Sequence, residues 1–397
     1  CNWTDFDQRT EQILSCIENG QAAADPFTVL TLIDSPQVQL QAAQLAAKQY
    51  AVVDQPLGAL QKNTSHTKIR IGYFSADLRE HPVAYLMAEV FEKHDKEHFE
   101  LYAFALGRPA RDAMQQRIAS AFDHFIEVGS LADREVAALA RTHEIDVAVD
   151  LGGFTIHHRP GIFAYRAAPV QVQYIGYLGT MGADYIDYLL ADETLIPVQS
   201  QTFYTEKIAY LPSYQANDSK REIAAHCFTR AELGLPQDAF VFCCFNNNYK
   251  ITPATFDSWM RILSSVKGSV LFLFANGQQT QSNLRQEAER RGIDPARLVF
   301  GERMERAEYL ARYRAADLFL DTLPYNAGTT ASDALWAGLP VLTCEGESFA
   351  SRMCASVLHS IDLPELITQS TQAYEAKAIE LASDRGLLEA LKFKLKQ

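Results

Sequence analysis

From Lys68 onward the chain alternates short β-branched or aromatic runs with stretches of helical apolar spacing, and this alternation leaves few folds open. Ile69–Phe74, Phe99–Ala105, His124–Val128 and Asp146–Leu151 read as strands, with further candidates at Val170–Tyr174 and Tyr185–Leu190. Val83–Lys93, Ala110–Ala121 and Glu135–His143 read as the intervening helices. Strands that alternate with helices build βα units around a parallel sheet. Leu211–Ala225, with Pro212, Asn217, Asp218 and several charges, reads as a connection. The alternation then resumes. Strands are expected at Phe240–Phe245, Val270–Phe274, Leu298–Phe300, Leu318–Asp321 and Pro340–Thr343. Helices are expected at Pro253–Val266, Gln281–Arg291, Glu305–Ala316, Thr329–Ala337 and Phe349–His359.

Two α/β halves of similar size predict two Rossmann-like lobes facing a cleft. The first 66 residues look helical, and the polar stretch Gln61–Thr67 reads as a boundary. The expected organisation is a helical lead over 1–66, a lobe over 67–222, a second lobe over 223–373, and an amphipathic helix over Tyr374–Lys396 within 374–397.

Charge and composition narrow the partners. The formal net charge of −13 repels phosphate backbones, so duplex nucleic acid and anionic membranes are unexpected partners. No run of apolar residues is long enough to span a bilayer, and Cys1–Asp5 has neither the basic nor the apolar region of a secretory signal. The sequence lacks an initiator Met, which suggests a piece of a longer protein. Seven scattered cysteines without a CxxC pair fit free thiols in a reducing, cytoplasmic compartment.

Four loops carry candidate chemistry. In Asp321–Gly338 an apolar strand runs into a loop with Pro324, Asn326 and Gly328, and Thr329 and Thr330 then open a helix. Unpaired N–H groups and the partial positive charge of a helix start suit a pyrophosphate. Asp333, on the same helix face, could accept ribose hydroxyls; an ordinary N-cap explains the threonines equally well. Phe245–Lys250, with Asn246, Asn247 and Asn248, follows a buried strand, and Lys250 could neutralise a leaving diphosphate or be a solvated surface lysine. His81, before Pro82, could be a general base, a donor to a sugar hydroxyl or a helix cap. His124 could equally be a core imidazole. The glycines of Leu151–Thr155 and Tyr174–Thr180 permit close backbone approach to a ligand, or tight turns. A metal site has little support: the sole Asp-X-Asp, Asp5–Asp7, lies in the helical lead, and His157–His158 lacks an evident third ligand.

These motifs coincide with one family. From about Lys68 to the C-terminus the chain resembles the catalytic region of the O-GlcNAc transferase family, glycosyltransferase family 41. The resemblance rests on Ile71–Asp77 with His81–Pro82, on Arg166–Thr180, on Phe245–Lys250 and on Tyr325–Gly338. It implies a GT-B fold with a central cleft and an inverting, metal-independent transfer from a UDP-sugar, most readily UDP-GlcNAc, to Ser or Thr of a protein acceptor. It implies no cofactor, and tetratricopeptide repeats upstream. By motif match, Lys250, Thr329 and Thr330 would meet the diphosphate and Asp333 the ribose. Arg306, Tyr309 and Arg312 would lie by the base. His81 and His124 would be active-site histidines, Gly176 would lie in the sugar loop, and Asn247 stands where animal members have Gln. Plant fucosyl relatives place Glu at the position of Asp333, which favours a UDP donor. Rival readings are N-glucosyl or O-fucosyl transfer, a UDP-GlcNAc 2-epimerase-like enzyme, and a non-catalytic nucleotide-binding scaffold.

Overall fold

The computed structural model describes all residues except 52–54, 61–65 and 396–397. Most of the expected boundary at Gln61–Thr67 therefore lies outside the described residues, as does Lys396. The chain divides into two compact units, Arg9–Lys220 and Cys1–Gln8 with Arg221–Gln397, called here the N-terminal and C-terminal units.

The lead is helical: α1 (Phe6–Glu18), α2 (Pro26–Leu32) and α3 (Pro36–Ala51). α2 starts where Asp25 accepts the Thr28 N–H at 2.9 Å and Pro26 fills a position that needs no donor. Ile17, Val29, Val38 and Ala42 form the small core of this lead.

The sheet of the N-terminal unit is all parallel. Its elements are β1 (Ile69–Ser75), α4 (Pro82–Glu92), β2 (Phe99–Ala105), α5 (Ala113–Ala121), β3 (His124–Glu127), α6 (Asp133–Thr142), β4 (Val147–Asp150), α7 (Gly161–Ala164), β5 (Val170–Gln173), β6 (Tyr188–Ala191) and β7 (Lys207–Tyr210). The strand order is β3-β2-β1-β4-β5-β6-β7. Phe74 and Phe104 stack at 4.4 Å between ring centroids, and Phe163 meets Phe74 edge-on at 5.4 Å. Strand β7 and the four-residue helix α7 escape sequence reading because neither is long enough to repeat its pattern more than once or twice.

The C-terminal unit repeats the plan. It runs β8 (Val241–Cys244), α8 (Pro253–Ser265), β9 (Val270–Phe274), α9 (Gln278–Arg290), β10 (Leu298–Gly301), α10 (Arg306–Arg312), β11 (Leu318–Leu320), α11 (Thr329–Trp336), β12 (Val341–Cys344), α12 (Phe349–Ser360), β13 (Ile367–Thr368), α13 (Thr371–Ser383) and α14 (Arg385–Lys394). The order is β10-β9-β8-β11-β12-β13, again all parallel. The C-terminal stretch expected as one helix is two. Asp384 ends α13 in an extended conformation and caps α14 by accepting the Leu387 N–H at 3.1 Å.

Candidate active site

In both sheets the first strand lies between the second and the fourth, so the chain reverses direction of growth between strands one and four. Ligands of open α/β sheets bind outside the strand C-termini at that reversal. In the C-terminal unit those ends are Cys244 of β8 and Leu320 of β11, and most of the predicted donor residues collect there.

Lys250 closes a single 3-10 turn, Asn248–Lys250, that follows β8. Its ammonium donates to the Asn326 carbonyl at 2.8 Å and lies 4.0 Å from the centroid of the Tyr325 ring. Lys250 thereby meets the loop that opens α11. The loop itself is tied down from several sides. Asn326 donates its backbone N–H to Ala350 at 3.0 Å and its side-chain amide to the Thr322 carbonyl at 2.7 Å. Asn246 bridges strand ends, donating to Thr322 Oγ1 at 2.8 Å and accepting from the Thr330 hydroxyl. The first turn of α11 has no side-chain cap at Gly328, so its leading N–H groups are not taken up by one, and Thr329 and Thr330 are both half-buried. Burial lowers the Lys250 pKa to about 8, opposed by the nearby Asp321 carboxyl. Most of the side chain's charge is kept at neutral pH.

Residues of α10 reach the same helix start. The Tyr309 hydroxyl lies 2.6 Å from that of Tyr313, which donates to the Thr330 carbonyl at 3.4 Å. Two expectations change in detail here. Asp333 is only 1% exposed, because Arg221 at 2.9 Å and Arg306 at 3.0 Å both bond its Oδ1. Arg306 is thus engaged with Asp333. Arg312 is also 1% exposed: it donates to the Glu302 carbonyl at 2.7 Å and its guanidinium stacks 4.0 Å from Phe245 and 4.7 Å from Tyr309. It packs behind Tyr309 and does not face open space. Asn247 is exposed at the start of the Lys250 turn.

Sequence reading missed Arg221, Asn246 as a bridge, and Asp321 as more than a strand end. Nothing in the spacing links Arg221 to a carboxylate on α11, since the two meet only through the fold.

The N-terminal unit separates the two candidate histidines. His81 caps α4 beyond the C-terminal end of β1: Nδ1 accepts from the Val83 N–H at 3.3 Å and lies 3.7 Å from Asp77 Oδ2. Burial lowers its pKa, Asp77 opposing and Arg79 reinforcing. His124 is elsewhere. It starts the edge strand β3, stacks on Tyr102 at 4.3 Å and bonds Glu100 at 2.9 Å, towards the strand N-termini and away from the loop of His81. The structure therefore does not bring His124 to the loop of His81: alternation along β3 hands this ring to a polar cluster with Glu100 and Arg70. Gly176 sits where a Cβ would come 2.0 Å from the Leu151 carbonyl, so its close approach is to the neighbouring loop.

A cavity of about 310 Å³ lined by Thr255, Ser258, Asp321, Leu323, Cys344 and Tyr374 touches neither Lys250 nor Thr329 and Thr330. Among the described residues, no group of three or more His, Cys, Asp or Glu is placed to hold a metal ion, and no helix is long and apolar enough to cross a membrane.

Two all-parallel Rossmann-like sheets of matching order are the architecture of the GT-B class of glycosyltransferases. The structure matches that of a mutant O-GlcNAc transferase from Thermobaculum terrenum with a TM-score of 0.85 and 31% identity, over 98% of this chain and 76% of that one. A family model, glycosyl transferase family 41, matches residues 1–226 and 215–397, and the chain belongs to that family. An Arabidopsis thaliana protein named as a probable UDP-N-acetylglucosamine–peptide N-acetylglucosaminyltransferase is 32% identical over 98% of this chain and 42% of its own length. A Caenorhabditis elegans protein named as a UDP-N-acetylglucosamine–peptide N-acetylglucosaminyltransferase is 25% identical over 100% of this chain and 45% of its own. The chain thus spans less than half the length of these two relatives.

Proposed function

We propose that the protein transfers N-acetylglucosamine from UDP-GlcNAc to serine or threonine hydroxyls of a protein acceptor, inverting the sugar carbon and using no metal ion. One observation carries the reading: the Lys250 ammonium is bonded to the loop that opens α11, so a cation and a set of unpaired N–H groups share one strand-end site. The acceptor oxygen attacks the anomeric carbon, the bond to the β-phosphate breaks, and UDP departs with the electron pair. Lys250 and the first turn of α11 meet the charge that develops on the phosphate, which is electrostatic catalysis. Thr329 adds a hydroxyl donor, Thr330, whose own hydroxyl is given to Asn246, offers its place in the first turn, and Tyr309, backed by Arg312, borders the base.

In the N-terminal unit, the strand-end residue His81 is assigned the binding of a hydroxyl. With Nδ1 accepting from Val83, the neutral ring carries its proton on Nε2. In that form His81 orients a hydroxyl by donating to it; taking the proton requires the other tautomer. The names of the relatives support the donor and the protein acceptor. Their greater length supports further modules, with tetratricopeptide repeats expected upstream. The free thiols, four of them buried, support a cytoplasmic setting.

The test is a thermal-shift series with UDP, GDP, UDP-GlcNAc, UDP-glucose and GDP-fucose, followed by transfer of labelled sugar to a peptide library in EDTA. UDP-GlcNAc is expected to raise the melting temperature and label peptides. Stabilisation by the guanosine ligands alone, or release of an epimerised sugar without acceptor, would overturn the reading.

A further inference from the structure

Asp321 is the most heavily bonded carboxyl at the candidate site, and nothing above gives it a role. It follows the last residue of β11 and is 3% exposed. Oδ1 accepts the Thr322 N–H at 2.7 Å, the Ala327 N–H at 2.7 Å and the Asn246 amide at 3.3 Å. Oδ2 accepts the Thr343 hydroxyl of β12 at 2.7 Å. The carboxyl therefore spans the loop from its first residue to the one before Gly328, and fixes it to β12 and to the bridge Asn246 that holds Thr330.

Resting on the donor reading above, we infer that Asp321 is the positioning residue of the diphosphate site: it folds the Thr322–Gly328 loop so that the α11 start and Lys250 converge, and it supplies the countercharge that keeps Lys250 an ammonium.

The surroundings leave few other groups for that second duty. The titratable groups acting on Lys250 are Asp321, Cys244 of β8 and Cys354 of α12. Burial raises both thiols, which stay neutral across the working range, and it does the same to the Tyr374 phenol of α13. Asp321 is then the one anion of this set. Burial lifts its own pKa to about 6, opposed by Thr343, the two backbone N–H groups and Lys250.

The experiment is a calorimetric titration of UDP-GlcNAc, with uridine as control, across pH 5 to 9. The parent is expected to lose affinity below about 6 and above about 8, as Asp321 gains a proton and Lys250 loses one. Asp321→Asn keeps an acceptor for the loop and removes the charge. As a permanent mimic of the protonated acid it should show no acid limb, and it should move the alkaline limb down by about one pH unit, which by itself lowers affinity about fivefold at pH 8. Thr343→Val retains the charge but removes a bond that favours it, so only the acid limb should move, to higher pH. A folded Asp321→Asn protein with the parent profile would reduce Asp321 to packing. Should that variant fail to fold, an unmoved acid limb in Thr343→Val overturns the inference. A parent that binds uridine as tightly as UDP-GlcNAc defeats the donor reading itself, whatever Asp321 does.

Discussion

The two units share a strand order and differ in what they place at its reversal. In each, the fourth strand leads to a buried carboxyl, Asp150 at the end of β4 and Asp321 just past β11, and burial raises both to about 6. Asp150 is held by the backbone N–H groups of a glycine turn, with His158 the weakest influence on it, and the next helix is the four-residue α7. Asp321 interacts with a lysine, and the next helix opens on two threonines. The first-strand loops differ in the same sense. His81 and Lys250 occupy matching places between the first strand and a helix that begins with proline, yet one is an imidazole whose pKa is lowered by burial and the other an ammonium. A common backbone scheme thus leaves the chemistry to a few loop side chains. A buried acid after the fourth strand is structural in one sheet and is coupled to a cation in the other.

That contrast can be broken or sharpened by substitution. The largest effect is expected from Asp333→Ala, which removes the buried carboxylate shared by Arg221 and Arg306 and leaves Arg221 with Ser332 and Trp336. Loss of one partner of a buried pair costs about 3–5 kcal/mol, read by urea unfolding of the ligand-free protein. A cost under about 1 kcal/mol would mean that the pair does not hold the C-terminal unit together. Lys250→Ala should lower transfer by about 100- to 1000-fold with melting temperature kept, since removing one preorganised charge-stabilising donor has that scale. Parent-rate transfer by this variant would erase the difference between the two first-strand loops. Asp150→Asn should act in the opposite sense on stability. The folded-state pKa of about 6 exceeds the ordinary 3.8, so stability is full below 3.8, falls as pH rises to about 6 and stays reduced above. The amide escapes that fall and should gain about 1–3 kcal/mol at pH 7.5 and little at pH 4, with transfer unchanged. Transfer that collapses in Asp150→Asn would show that the N-terminal acid also serves the reaction. The smallest effect belongs to His124→Ala: about 1 kcal/mol or less of stability, from one partly exposed bond to Glu100, and no change in turnover.

Much of the architecture was legible because hydrophobic period survives in single sequences. The runs Ile69–Phe74 and Val270–Phe274 could hardly be anything but buried parallel strands. What failed was short or tertiary. The four residues of β7 carry too little pattern to read, and the Asp384 cap that splits the last helix is a single side chain. In the site, Lys250 and the threonine pair were legible as residue types in loops after strands. The covering of Asp333 by Arg221 was not, because it joins residues 112 apart in sequence. The surroundings of His124 were not legible for a related reason: a motif match fixes the position along the strand, while the far end of the sheet decides what the ring touches.

The double guanidinium cover on Asp333 changes what recognition at that carboxyl involves. On the proposed reading, a ribose hydroxyl meets a carboxylate whose Oδ1 is already shared by two guanidinium groups, and taking Oδ1 means displacing an arginine. A nucleoside offers that arginine nothing in return, whereas a nucleotide brings phosphate oxygens to receive it. On the reading proposed above, discrimination against unphosphorylated ligands would rest on that exchange of partners at the arginine.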